Sequence, residues 1–140
     1  KDGEIDEIME DDLPYDLSSD PVVLDDKGYG IWYLDSLDHL DRYVGKTIQF
    51  TAMVMKPDGF PKDYFVPGRM AMTCCAEDMT FLGFACVYDK IGLFAERDWV
   101  KVTAVVEKEY FADYGGEGPV LHATSVTKAK QPKEPVISFV

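Results

Sequence analysis

Between Lys46 and Lys56 the chain alternates strictly, with Ile48, Phe50, Ala52 and Val54 on one parity and Thr47, Gln49, Thr51 and Met53 on the other. Successive side chains of an extended chain point to opposite faces, so the pattern predicts a strand over 46–56 with one face for a core. The alternation returns in WVKVTAVVEKEYF, where Val100, Val102, Ala104 and Val106 share a face. A final strand, PVLHATSVTKAK, follows the turn DYGGEG. YFVPGRMAMTCCAEDMTFLGFACVYD holds two β-type runs about Ala76–Met79 and predicts a hairpin, interrupted early by Pro67–Gly68. With its tip centred on Glu77–Asp78, Cys74 falls opposite Phe81, and Cys86 near Arg69.

Upstream of Lys46 the period changes. Val22–Leu24 is a short strand candidate and Asp25–Gly28 a turn. Ile31, Leu34, Leu37, Leu40 and Tyr43 or Val44 then recur at intervals of three and four, one stripe of an amphipathic helix over about 31–42. Gly45 follows the last periodic position, where a left-handed cap is commonly needed. The order is helix, strand, hairpin, strand, strand. Five strands in one flat sheet would leave long apolar edges, and closure removes them. The fold class predicted is therefore all-β with one helix: a small five-stranded Greek-key barrel, OB-fold-like, preceded by the amphipathic helix. An SH3-like or open sandwich arrangement is the alternative.

A chain of 140 residues is long enough for one core without a staple. Its formal net charge of −12 is unevenly placed: residues 1–41 hold 14 acidic and 2 basic side chains, and the rest is balanced. The acidic run predicts a flexible leader over 1–20, because like charges repel and offer little apolar surface to bury, with a single barrel domain over 21–140. The leader lacks the glycine turn and ligand spacing of a calcium loop. No stretch of apolar residues is long enough to span a membrane, and no signal-peptide pattern is present. The chain begins with Lys1, as a fragment of something longer would.

Three cysteines, Cys74, Cys75 and Cys86, match neither a disulfide framework nor a zinc ribbon. On a regular strand Cys74 and Cys75 cannot both face one ligand. Three readings of the pair stand side by side. Both are small packing residues near a tight turn; or a bulge brings both sulfurs to one rim beside Glu77 and Asp78 as a soft metal or redox site; or they form a vicinal disulfide. His39 and His122, the only histidines, carry no local signature tying them to the thiols. No phosphate loop or nucleophile–base pattern is present, and the sequence points to no enzyme.

YVGKTIQFTAMVMK, the stretch from Arg69 through Cys74, Cys75, Ala76 and Asp78, WVKVTAVVE, and the closing strand with Pro132 and Pro135 together resemble the C-terminal domain of the YcgQ-like family of permease subunits. The resemblance covers about residues 30–137, and the arginine-to-double-cysteine stretch is its most specific part. Glu77, Thr80, Phe81 and Met53 depart from the family pattern. The resemblance implies a membrane-associated accessory protein, anchored by a hydrophobic region outside this sequence, with the soluble domain extracytoplasmic and a predicted multi-spanning permease as partner. It also implies a site at Arg69, Cys74, Cys75 and Asp78 for a ligand or partner. Cys74, Cys75 and Asp78 are its metal candidates, for a transition metal such as zinc.

The expected function is that of a non-enzymatic accessory or binding domain serving transport of a metal or small ligand. A thiol-based metal or redox domain using Cys74 and Cys75 is the alternative. Single-stranded nucleic acid fits least, since a neutral barrel behind an acidic leader lacks the positive groove that phosphates require.

Overall fold

A computed structural model describes residues 8–73 and 77–139. In chain order its elements are strand β1 (Val22–Val23), helix α1 (Asp26–Asp38), and strands β2 (Thr47–Met55), β3 (Tyr64–Met72), β4 (Met79–Gly83), β5 (Ala85–Val87), β6 (Trp99–Phe111), β7 (Gly116–Lys128) and β8 (Val136–Ser138). The predicted barrel is present: β2 pairs β6, β6 pairs β7, β7 pairs β5, β5 pairs β3, and β3 returns to β2. The β5–β7 pairing is parallel and the other four are antiparallel, the pattern of a small OB-like barrel. The short strands β1, β4 and β8 add to its wall.

The alternation that predicted β2 and β6 is the one that builds the core. Ile48, Phe50, Ala52 and Val54 are buried together with Val100, Val102, Ala104 and Val106, while their neighbours along each strand are more exposed. The 13-residue strands β6 and β7 form a long hairpin that turns at Ala112–Gly115 and carries an irregularity at Thr103/Ala104. Extra twist at such a point helps a sheet curl shut.

Three expectations need correction. The helix spans Asp26–Asp38, not 31–42. It starts early because Asp25 caps it, its carboxylate accepting from the Gly28 amide at 2.7 Å. The leucine stripe is not its buried face. Leu34 and Leu37 are exposed, and the barrel is met by Tyr29 and Trp32, with Asp35 and Ser36 also buried. Trp32 lies 5.6 Å from Phe50 and 5.3 Å from Phe84, centroid to centroid, so the large aromatic rings decided which face turned inward. Gly45 is left-handed, as expected, but it follows the short Leu40–Arg42 turn and not α1.

The hairpin register also differs. Met72 pairs Met79, Met70 pairs Phe81 and Arg69 pairs Leu82, which moves the tip toward the N-terminus from Glu77–Asp78. Phe81 thus faces Met70, not Cys74, and Cys86 pairs Phe65, four residues from Arg69 along β3. Pro67–Gly68 does not interrupt β3, which runs through both. A β-carbon on Gly68 would sit 2.7 Å from the Phe81 ring, so the glycine lets that ring lie across the strand. Among the described residues no helix is long and apolar enough to cross a membrane.

Candidate functional site

Arg69 is the first of the sequence-predicted site residues. Its side chain is buried, and the guanidinium donates to Asp26 at 2.8 Å and to the carbonyls of Glu134 and Pro135 at 3.0 and 3.3 Å. It also stacks 5.4 Å from the Trp99 centroid. These bonds tie β3 to the start of α1 and to the segment leading into β8, which is structural work. Cys74 and Cys75 lie outside the described residues. Asp78 is exposed just before β4. Cys86 is buried in the barrel wall, and burial pushes its thiol well above the usual range, so it stays protonated. No group of three or more metal-ligating side chains occurs among the described residues.

A different region collects unsatisfied and exposed groups: the wall between the C-terminal half of α1 and the β6–β7 hairpin. Its frame is a buried ionic network. Asp35, 2% exposed, accepts from Arg42 Nη1 at 2.8 and 2.9 Å and from the Tyr43 hydroxyl at 2.6 Å, and Tyr43 shares a 2.7 Å bond with Tyr15. Burial works against the Arg42 charge, yet the hydrogen bonds and charge of Asp35 outweigh it and raise the guanidinium above its ordinary value. Burial, and then the bond to Asp35, push the Tyr43 phenol far up, and burial lifts Tyr15 to about 12. The network fixes the chain where it leaves the helix and bends through Leu40–Arg42.

Beside this frame lies a polar chamber of about 470 Å³, bordered by Ser36, Leu37, His39 and Arg42 on the helix side and by Lys108, Glu117 and Pro119 on the hairpin. Ser36 is 1% exposed, and its hydroxyl has no hydrogen-bond partner among the described residues. Such a group costs about 1–3 kcal/mol unless something bonds it. Next to it is a smaller chamber of about 280 Å³ lined by Tyr33, Phe84, Tyr114 and Pro119. Leu37, Glu117, Gly118 and Pro119 border both chambers, so the two form one groove.

The floor is set by Tyr114. Its hydroxyl accepts from the Ala85 amide at 2.8 Å and donates to the Pro119 carbonyl at 2.7 Å, and burial raises its phenol to about 12. A β-carbon on Gly118 would stand 2.9 Å from the ring, so only glycine lets Tyr114 lie flat there. Tyr33 stacks on Phe84 at 4.6 Å and forms the opposite wall. The arrangement offers an aromatic slot and a rim of mixed charge.

Sequence reasoning missed this groove because its two walls are remote in the chain and meet only through the β6–β7 hairpin. Leu37, exposed at the border of both chambers, is the one residue of the leucine stripe that signals it. No curated protein matches the chain. Among solved structures, the aspartyl tRNA synthetase from Entamoeba histolytica aligns at 11% identity with a TM-score of 0.33. The alignment covers 64% of this chain and 20% of that one, a likeness too slight to carry an argument. A family model described as the DUF1980 C-terminal domain matches residues 1–138, and the chain belongs to that family.

Proposed function

We propose that this domain is a non-enzymatic accessory module of a membrane-associated protein, facing the extracytoplasmic side, that docks a multi-spanning permease through the groove between α1 and the β6–β7 hairpin. The observation that carries this reading is the groove itself, in which Leu37, 58% exposed, borders both the aromatic chamber and the polar one. An exposed apolar surface rimmed by polar groups marks a contact site more often than a chance feature. Transport of a metal or small ligand is the task such a module would serve. The test is copurification of the full-length parent with the permease from detergent. Wild type brings the permease down in stoichiometric amount, and Leu37→Glu, at a position 58% exposed and so tolerant of charge, loses it. Retention by the variant, or a permease that purifies alone, overturns the reading.

One observation favours a second reading, a thiol site for a transition metal such as zinc. The β3–β4 ladder pairs Met72 with Met79, and in the sequence Cys74 and Cys75 fall between these two residues, beside Asp78. Arg69, at the base of the same hairpin, would then hold that hairpin in place while Asp78 joined the ligands. Metal analysis of the purified domain, with thiol titration before and after chelation, decides it. Bound zinc that protects two thiols supports the site, and a metal-free protein with unprotected thiols removes it.

A further inference from the structure

The groove has a chemistry that narrows its occupant. Of the charged side chains on its rim, Arg42 already gives its charge to Asp35, which leaves Lys108 against the exposed carboxylates Asp38, Asp41 and Glu117. The free rim is therefore acidic, with three carboxylates against one lysine. Charge complementarity selects a cationic partner. The aromatic slot of Tyr33, Phe84 and Tyr114 fits one large apolar side chain.

We infer that the groove binds an extended peptide segment of the partner protein, one that places an aromatic or leucine side chain between Tyr33 and Tyr114 and a lysine or arginine near it against Asp38, Asp41 and Glu117. The inference rests on the groove being the docking surface and specifies what docks. The two chambers share the wall at Leu37 and Pro119, so the apolar and cationic side chains belong to neighbouring positions of one strand of peptide. Affinity from so open a groove is modest, and its salt dependence follows from the exposed rim.

The test is amide-resolved NMR titration of the domain with the blocked peptide Ac-GFGKG-NH2. Three control peptides replace lysine by glutamate, phenylalanine by alanine, or both. The proposal expects shifts confined to residues 33–42 and 108–119, at least ten-fold weaker binding for the glutamate and alanine peptides, and weakening by 0.5 M salt. Glu117→Lys should weaken the parent peptide several-fold without altering amide shifts elsewhere. Equal binding of all four peptides, shifts outside the groove, or no shifts at millimolar peptide overturn it. If the permease copurifies in a Leu37-dependent way while no peptide binds, the peptide chemistry fails and the docking surface stands. If the peptide binds and the permease purifies alone, the peptide chemistry stands and the accessory role fails.

Discussion

Replacing Asp35 by alanine probes the frame on which the groove depends. The carboxylate is 2% exposed and accepts three hydrogen bonds, two from Arg42 and one from Tyr43. Removing one partner of a buried ion pair typically costs about 3–5 kcal/mol, because the other charge stays behind. Here the lower part of that range applies. Arg42 keeps some contact with solvent, and Glu10 lies 3.9 Å from its Nε, so part of its charge can be compensated. The Tyr43 hydroxyl loses its shortest bond but keeps Tyr15. The expected loss is about 3 kcal/mol, a large share of the roughly 5–15 kcal/mol that stabilises a domain. For a chain of this size that corresponds to a fall of about 10 °C in Tm. Urea unfolding of wild type and variant at pH 7 measures it, with unchanged m confirming the same folded state. A double variant, Asp35→Leu with Arg42→Leu, should recover part of the loss, since it leaves no unpaired charge. A loss below about 1 kcal/mol for Asp35→Ala would refute the reasoning, because the pair would then be no better than a surface one.

Three further outcomes follow from the same structure. Tyr29 and Tyr43 are fully buried with phenols pushed well above their ordinary value, so stability is intact below about pH 10 and falls above it, as the unfolded phenols ionise first. Two such groups should remove about 3 kcal/mol in all between pH 9 and 11, most of it above pH 10, readable in urea midpoints at pH 9, 10 and 11, and a flat profile would contradict it. In a Cys74→Ser/Cys75→Ser background, Cys86 should stay unreactive to a thiol reagent at pH 8 until urea unfolds the domain, because its thiol is buried and protonated; rapid native labelling would show the barrel wall to be open. Gly68→Ala sets a β-carbon against the Phe81 ring and, closer still, the Leu82 backbone carbonyl, and should cost about 1–3 kcal/mol in the same assay; an unchanged midpoint would contradict the close approach of β3 and β4 at this point.

The barrel was legible in the sequence where one face of a strand is buried and its neighbours are not. Ile48 to Val54 and Val100 to Val106 alternate because β2 and β6 lie side by side with a common inner face. The helix was harder to read, since two kinds of apolar surface compete on it. Leucines at regular spacing suggested a core stripe, but Tyr29 and Trp32 bury larger rings, and Gly30 lets Phe139 and Ile137 approach from the other side. The hairpin tip was misplaced because the acidic pair Glu77–Asp78 looks like a turn, whereas the ladder is fixed further down by Arg69↔Leu82 and Met70↔Phe81. The partners of Arg69 are structural, Asp26 and two carbonyls from the far end of the chain, contacts that no local pattern encodes. The groove was out of reach for the same reason, because Ser36 and Glu117 meet only once the barrel has closed.

The claim that the α1–hairpin groove is the docking surface is tested most directly by mapping amide shifts of the isotope-labelled domain on addition of the detergent-purified permease. The account predicts changes centred on residues 33–42 and 114–119. Changes confined to the hairpin at 72–79, or none at all, would contradict it.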